Sequence, residues 1–179
     1  AVKNFVGDKE NLYTVDLICH GTPSPKILER FLNDYHLDIG NAQNIKFRVK
    51  NKFYLESDQK RFTVPTVVDN YLMTFLDSAS YTENCYNCKY AKPERVSDIT
   101  LGDSWGSELA DDIQRKGVSL VLCQTEKGKA LLEQTDLHLL DVDLERAIQW
   151  NHQLHSPSVK PKQRDKFLKE KSDRSHVVL

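Results

Sequence analysis

Two cysteines separated by two residues, Cys85 and Cys88, precede by ten positions the segment Asp98-Ile-Thr-Leu-Gly-Asp-Ser-Trp-Gly106. A two-residue gap lets one tight turn present both thiolates to a single metal or iron–sulfur centre. Their surroundings, Glu83-Asn-Cys-Tyr-Asn-Cys-Lys-Tyr90, are polar, with no predicted strand or helix to bury them. Paired thiols in such a loop serve ligation or redox chemistry more often than packing. Cys19 and Cys123 lie far off in sequence, so a four-thiolate set is arithmetically possible. Taken alone, each reads as a small buried hydrophobe at a strand end, Cys123 more so because it closes Val118-Ser-Leu-Val-Leu-Cys123.

Other side chains near these thiols carry alternative readings. His20 follows Cys19 in a turn and is placed to ligate, to hydrogen-bond a cofactor or to cap the next helix. Asp98 and Asp103 bracket a glycine turn, where aspartates act on a ligand or bond nearby backbone N–H groups. Gly102 and Gly106 mark backbone that must turn or approach something closely. Arg48 and Lys50, two apart on a strand, share a face that is either solvated or, together with Arg95 and Lys116, an anion site. Dinucleotide, phosphate-loop, nucleophile-elbow and helical zinc motifs are absent, against ordinary hydrolase, kinase and nicotinamide-dehydrogenase readings.

The elements that must position these groups follow from periodicity and capping. Residues 12–19 read as a buried strand, and the opening residues also carry a strand signal. Ser24 as N-cap and Pro25 at the first turn predict a helix whose stripe is Ile27, Leu28, Phe31, Leu32 and Tyr35. Period-two alternation over 44–64 predicts an antiparallel meander, and a second helix is expected from Thr66. Strands are expected at 97–101, 118–123 and 137–142, with helices capped by Thr125 and Asp143. The fold class expected is α/β: a single domain over 1–155, a mixed β-sheet of roughly five to seven strands flanked by helices. Residues 156–179 read as an extended, charged C-terminal tail on the surface.

Composition narrows the class further. Twenty-five basic residues stand against 26 acidic ones, so no global charge favours nucleic acid or a membrane surface. No apolar run reaches the roughly 18 residues of a membrane span. Four cysteines are too sparse for a disulfide scaffold, which fits a reducing, cytoplasmic setting. The chain starts without Met and reads as a fragment of a longer protein.

These segments resemble the coenzyme F420 hydrogenase/dehydrogenase beta subunit family, in its C-terminal half. The resemblance runs through Asn11 to Pro25, Ile45 to Lys50, Cys85 to Ala91, Arg95 to Gly106, Lys116 to Leu122, Asn151, and Pro161 with Arg164 to Phe167. It implies a flavin- and iron–sulfur-dependent oxidoreductase that passes electrons between a 4Fe-4S cluster, a flavin (FAD) and a hydride-accepting coenzyme such as F420. Its implied partners are electron-transfer subunits or a ferredoxin. Cys19, Cys85 and Cys88 match family ligand positions, the fourth ligand then lying upstream, and Cys123 takes no ligand role. Flavin and cluster belong to the full-length protein and are expected to be missing from this fragment. Within it, Cys19 is expected close to Cys85 and Cys88. Cofactor contacts are expected from His20, Arg48, Lys50, Arg95, Asp98, Gly102, Asp103 and Lys116. Ser104 departs from the aromatic residue usual in the family. A structural zinc or protein-interaction module built on the same thiols is the alternative reading.

Overall fold

The computed structural model describes residues 2–49, 52–58, 61–62 and 68–173. In chain order the elements begin with α1 (Val2–Val6), β1 (Val15–Leu17), α2 (Pro25–Asp34), β2 (Lys46–Val49) and β3 (Lys52–Glu56). They continue with α3 (Asn70–Leu76), α4 (Glu83–Tyr86), β4 (Ile99–Asp103), α5 (Asp111–Gln114) and β5 (Ser119–Cys123). The last three are α6 (Glu126–Glu133), α7 (Leu144–Trp150) and α8 (Arg164–Asp173). Among the described residues, no helix is long and apolar enough to cross a membrane.

The chain divides into two compact units. Unit 1 joins Ala1–Cys19 to Cys88–Pro157. Its sheet has the order β1-β4-β5, with β1 parallel and β5 antiparallel to β4. This is the mixed sheet of an α/β fold. A parallel pair needs a long crossover, and the first segment of unit 2, His20–Asn87, lies within it. Val15, Asp16 and Leu17 stand beside Ile99, Thr100 and Leu101, which in turn pair with Cys123, Leu122 and Val121. One face of the sheet packs Ile18, Leu120 and Leu122 against Ala147, Ile148 and Leu154.

Unit 2 joins His20–Asn87 to Ser158–Leu179. Its core gathers Phe31 and Leu32 of α2, Leu55 of β3, Phe62 and Tyr71 of α3. The rings of Phe31, Tyr35, Phe62 and Tyr71 meet at centroid distances of 5.1–5.8 Å, a range in which tilted aromatic pairs gain beyond simple burial. The strands β2 and β3 form the expected antiparallel pair, with a bulge between Lys46 and Arg48.

Several local expectations are corrected. The opening residues form α1 rather than a strand. The strand expected over 12–19 shortens to β1, an edge strand whose Val15 and Leu17 are exposed. No strand forms among 137–142, where Leu137, Leu139, Leu140 and Val142 stay about half exposed. Strand propensity with no neighbouring edge to pair with does not make a strand. The hydroxyl of Ser24 makes no capping bond, so Pro25 with its preset φ marks the start of α2. Thr66 lies outside the described residues, and the second helix begins at Asn70, with Asp69 as its cap.

That cap does two jobs. Asp69 is 1% exposed, and one carboxylate oxygen accepts from the Leu72 N–H at 2.9 Å. The other accepts from the Leu55 N–H of β3 at 2.6 Å, so the start of α3 is tied to the hairpin. Asp69→Ala should therefore lower the stability of unit 2 by about 2–4 kcal/mol, since it removes a cap and leaves a buried N–H unpaired. Urea unfolding of wild type and variant checks this. A loss under about 0.5 kcal/mol, the range of an ordinary surface change, would contradict it.

Candidate functional site

Within unit 2, the sulfur of Cys85 lies among polar groups of Thr22 and Thr82. Cys85 sits in the one-turn helix α4, not in an open loop as its polar neighbours suggested, and is only partly exposed. Thr82, the residue capping α4, places its hydroxyl 3.3 Å from the Cys85 sulfur. The backbone N–H of Thr22 donates to the same sulfur at 3.2 Å. Thr22 arrives there because residues 21–23 run alongside 81–82: Pro23 bridges Tyr81 and the Thr82 N–H donates to the Thr22 carbonyl. Gly21 permits this approach, since a Cβ there would lie 2.2 Å from a Tyr81 ring carbon. Hydrogen bonds around a thiol fix the direction in which its sulfur points, as outer-shell partners do for a metal ligand. Sequence reasoning missed both threonines. The available signals were a Thr three residues before Cys85 at a helix start, and a Thr held extended by the following Pro23.

In unit 1 the expected site residues are tied into the fold. Asp98 is 1% exposed. Its carboxylate accepts from the Thr14 N–H at 2.8 Å, the Thr14 hydroxyl at 2.7 Å and the Thr125 hydroxyl at 3.0 Å. The ammonium groups of Lys3 and Lys127 stand 3.5 and 3.6 Å away. Burial alone would push this carboxyl up, but the bonds from Thr14 and Thr125 and the charge of Lys3 outweigh it and hold the acid well below the usual carboxylate range. A cavity of about 310 Å³ beside it is lined by Asp8, Lys9, Glu10, Asp98, Thr125 and Lys127.

Arg95 spreads its guanidinium over backbone carbonyls: Lys92 at 2.9 Å, Gln153 at 3.3 Å and Leu17 at 3.4 Å. Its side chain is 5% exposed and 3.9 Å from the Asp16 carboxylate. It fastens the end of β1, two residues before Cys19. The glycines are explained by close internal packing. A Cβ on Gly102 would lie 2.5 Å from the Ile18 side chain, and one on Gly106 would lie 2.2 Å from the Trp150 ring. Gly106 also has φ +69, and its carbonyl accepts from Arg146 at 2.5 Å.

All four cysteines are free thiols. Cys19 and Cys88 fall in unit 1, Cys88 partly buried and Cys19 exposed, whereas Cys85 falls in unit 2. Cys123 is exposed at the end of β5. Among the described residues, no three His, Cys, Asp or Glu side chains gather as a metal site. His20, Asp103 and Lys116 are exposed. Arg48 belongs to β2, and Lys50 lies outside the described residues.

Asp98→Asn keeps the shape of the buried carboxylate and removes its charge. It should lower the stability of unit 1 at pH 7 by about 2–3 kcal/mol, the cost of stripping charge-assisted bonds. Because the folded-state acid is depressed, the stabilisation is complete above the unfolded-state value near 4 and is lost as the pH falls below it. The gap between wild type and variant should narrow steadily on acidification from about pH 4. Denaturant unfolding at stepped pH measures it, and a gap independent of pH would count against the charged carboxylate as its source.

Set against models of known families, residues 2–142 match the one described as the C terminus of the coenzyme F420 hydrogenase/dehydrogenase beta subunit.

Proposed function

The chain belongs to the coenzyme F420 hydrogenase/dehydrogenase beta subunit family, as its C-terminal domain, and we propose that it is the thiolate-bearing part of an iron–sulfur flavoprotein oxidoreductase. The family is one of oxidoreductase subunits. The observation that carries the finer reading is the Cys85 sulfur, which accepts from the Thr22 N–H and lies within bonding distance of the Thr82 hydroxyl. Hydrogen bonds to cluster thiolates stabilise the charged ligand and set the reduction potential. The polar surroundings of Cys85 therefore suit a ligand to a 4Fe-4S cluster, with Cys19 and Cys88 as further ligands and the set completed from outside this chain.

When bound, such a cluster supplies one-electron transfer to a flavin, which exchanges hydride with F420 or another acceptor. The chain's own residues act by holding and orienting. Thr22 and Thr82 hold the Cys85 sulfur. Arg95 and Asp98 anchor the strands around Cys19, as positioning groups rather than as hands on a cofactor. Contacts to the flavin or coenzyme are assigned to the exposed His20, Asp103 and Lys116, with Arg48 and Lys50. Electron-transfer subunits or a ferredoxin are the partners this chemistry requires.

Anaerobic reconstitution of the full-length protein with iron, sulfide and FAD tests the reading. Wild type should retain a dithionite-bleachable cluster and a reducible flavin. Thr82→Val should weaken iron retention by about tenfold, and Cys85→Ala should weaken it more, in line with losses seen on removing outer-shell partners and ligands. A full-length protein that takes up neither cofactor overturns the proposal. Stoichiometric zinc in a folded, flavin-free protein would point instead to a structural metal module.

A further inference from the structure

Residues 158–164 lie beyond the stretch matched to the family, yet in unit 2 they contact both segments that supply donors to Cys85. Arg164, at the start of α8, is 6% exposed. One guanidinium nitrogen donates to Glu83 at 2.6 Å, and another donates to the Tyr81 carbonyl at 2.9 Å. The guanidinium carbon sits 5.1 Å from the centroid of the Tyr86 ring. One planar cation thus grips residues 81, 83 and 86, which flank Cys85 on both sides. Lys160 adds an ion pair to Glu83 at 3.4 Å. Ser158 donates its hydroxyl to the His20 carbonyl, two residues before Thr22.

We infer that Arg164 is a positioning residue for Cys85 and that segment 158–164 is a clip holding the two donor segments against its sulfur. Its value for a cluster rests on the reading of Cys85 as a ligand; its grip on the thiol does not. A one-turn helix has too few internal bonds to hold itself, so α4 needs an outside tie. The forked geometry matters as much as the charge. A carboxylate, a carbonyl and a ring face are met together by a guanidinium, whereas a lysine ammonium is a single point charge on a flexible stem.

The test is alkylation of the cofactor-free chain by iodoacetamide, well below its melting temperature, with peptide mass spectrometry giving the rate at each cysteine. In Arg164→Ala the rate at Cys85 should rise about tenfold, and in Arg164→Lys and Glu83→Ala severalfold, as local opening becomes easier. Cys123, in unit 1, should keep its wild-type rate, and Lys162→Ala should change nothing. Should Arg164→Ala fail to fold, the other two variants carry the test. A Cys85 rate within twofold of wild type in folded Arg164→Lys and Glu83→Ala overturns the clip. If the rates change as stated but reconstituted wild type retains no iron, the clip stands and the ligand reading falls.

Discussion

Unit 1 is organised around a carboxylate that water scarcely reaches. A buried, unpaired charge would cost several kcal/mol, so Asp98 requires its partners, and they come from separate stretches of chain. Thr14 precedes β1, Thr125 starts α6, and Lys3 and Lys127 close the arrangement. The Asp98 backbone joins the same network, donating to the Thr14 carbonyl and accepting from the Gln124 N–H, each at 2.9 Å. Gly128 completes the docking, since a Cβ there would lie 2.2 Å from the Asp98 carbonyl oxygen. The parallel entry of β1 and the seating of α6 both depend on this one residue.

Unit 2 uses the same device with other residues. Asp69 ties α3 to β3, and Arg164 ties α8 to α4. In each case a buried charged group holds segments that are distant in sequence, and each would leave uncompensated partners if removed. Such groups also favour one arrangement over others, because apolar packing tolerates rearrangement where hydrogen bonds do not.

Residues that in the sequence read as cofactor contacts serve the scaffold. Gly102 and Gly106 make room for Ile18 and Trp150, and Arg95 spends its donors on backbone carbonyls near Cys19. These residues fix the strands and helices around them. Cys85 differs, because its sulfur accepts from the Thr22 N–H and lies within bonding distance of the Thr82 hydroxyl. That contrast is why the functional reading rests on the thiol rather than on the glycine–aspartate turn.

Local rules determined what depends on neighbours a few residues away. Pro25 marks a helix start, and Thr125 and Asp143 accept from Gly128 and Arg146 as capping residues three positions upstream. The Cys85–Cys88 spacing and its flanking segments likewise carried the family in the sequence. Tertiary structure alone decided what depends on distant partners. It left 137–142 without a strand, turned Asp98 into a tie and put Thr22 on a sulfur 63 residues away. Arg164 had the same dependence: a charge on a polar tail looks solvated until a carboxylate, a carbonyl and a ring 78 to 83 residues earlier surround it. Periodicity and capping reach only a few residues along the chain, and the burial of a charge is settled by whichever segments fold around it.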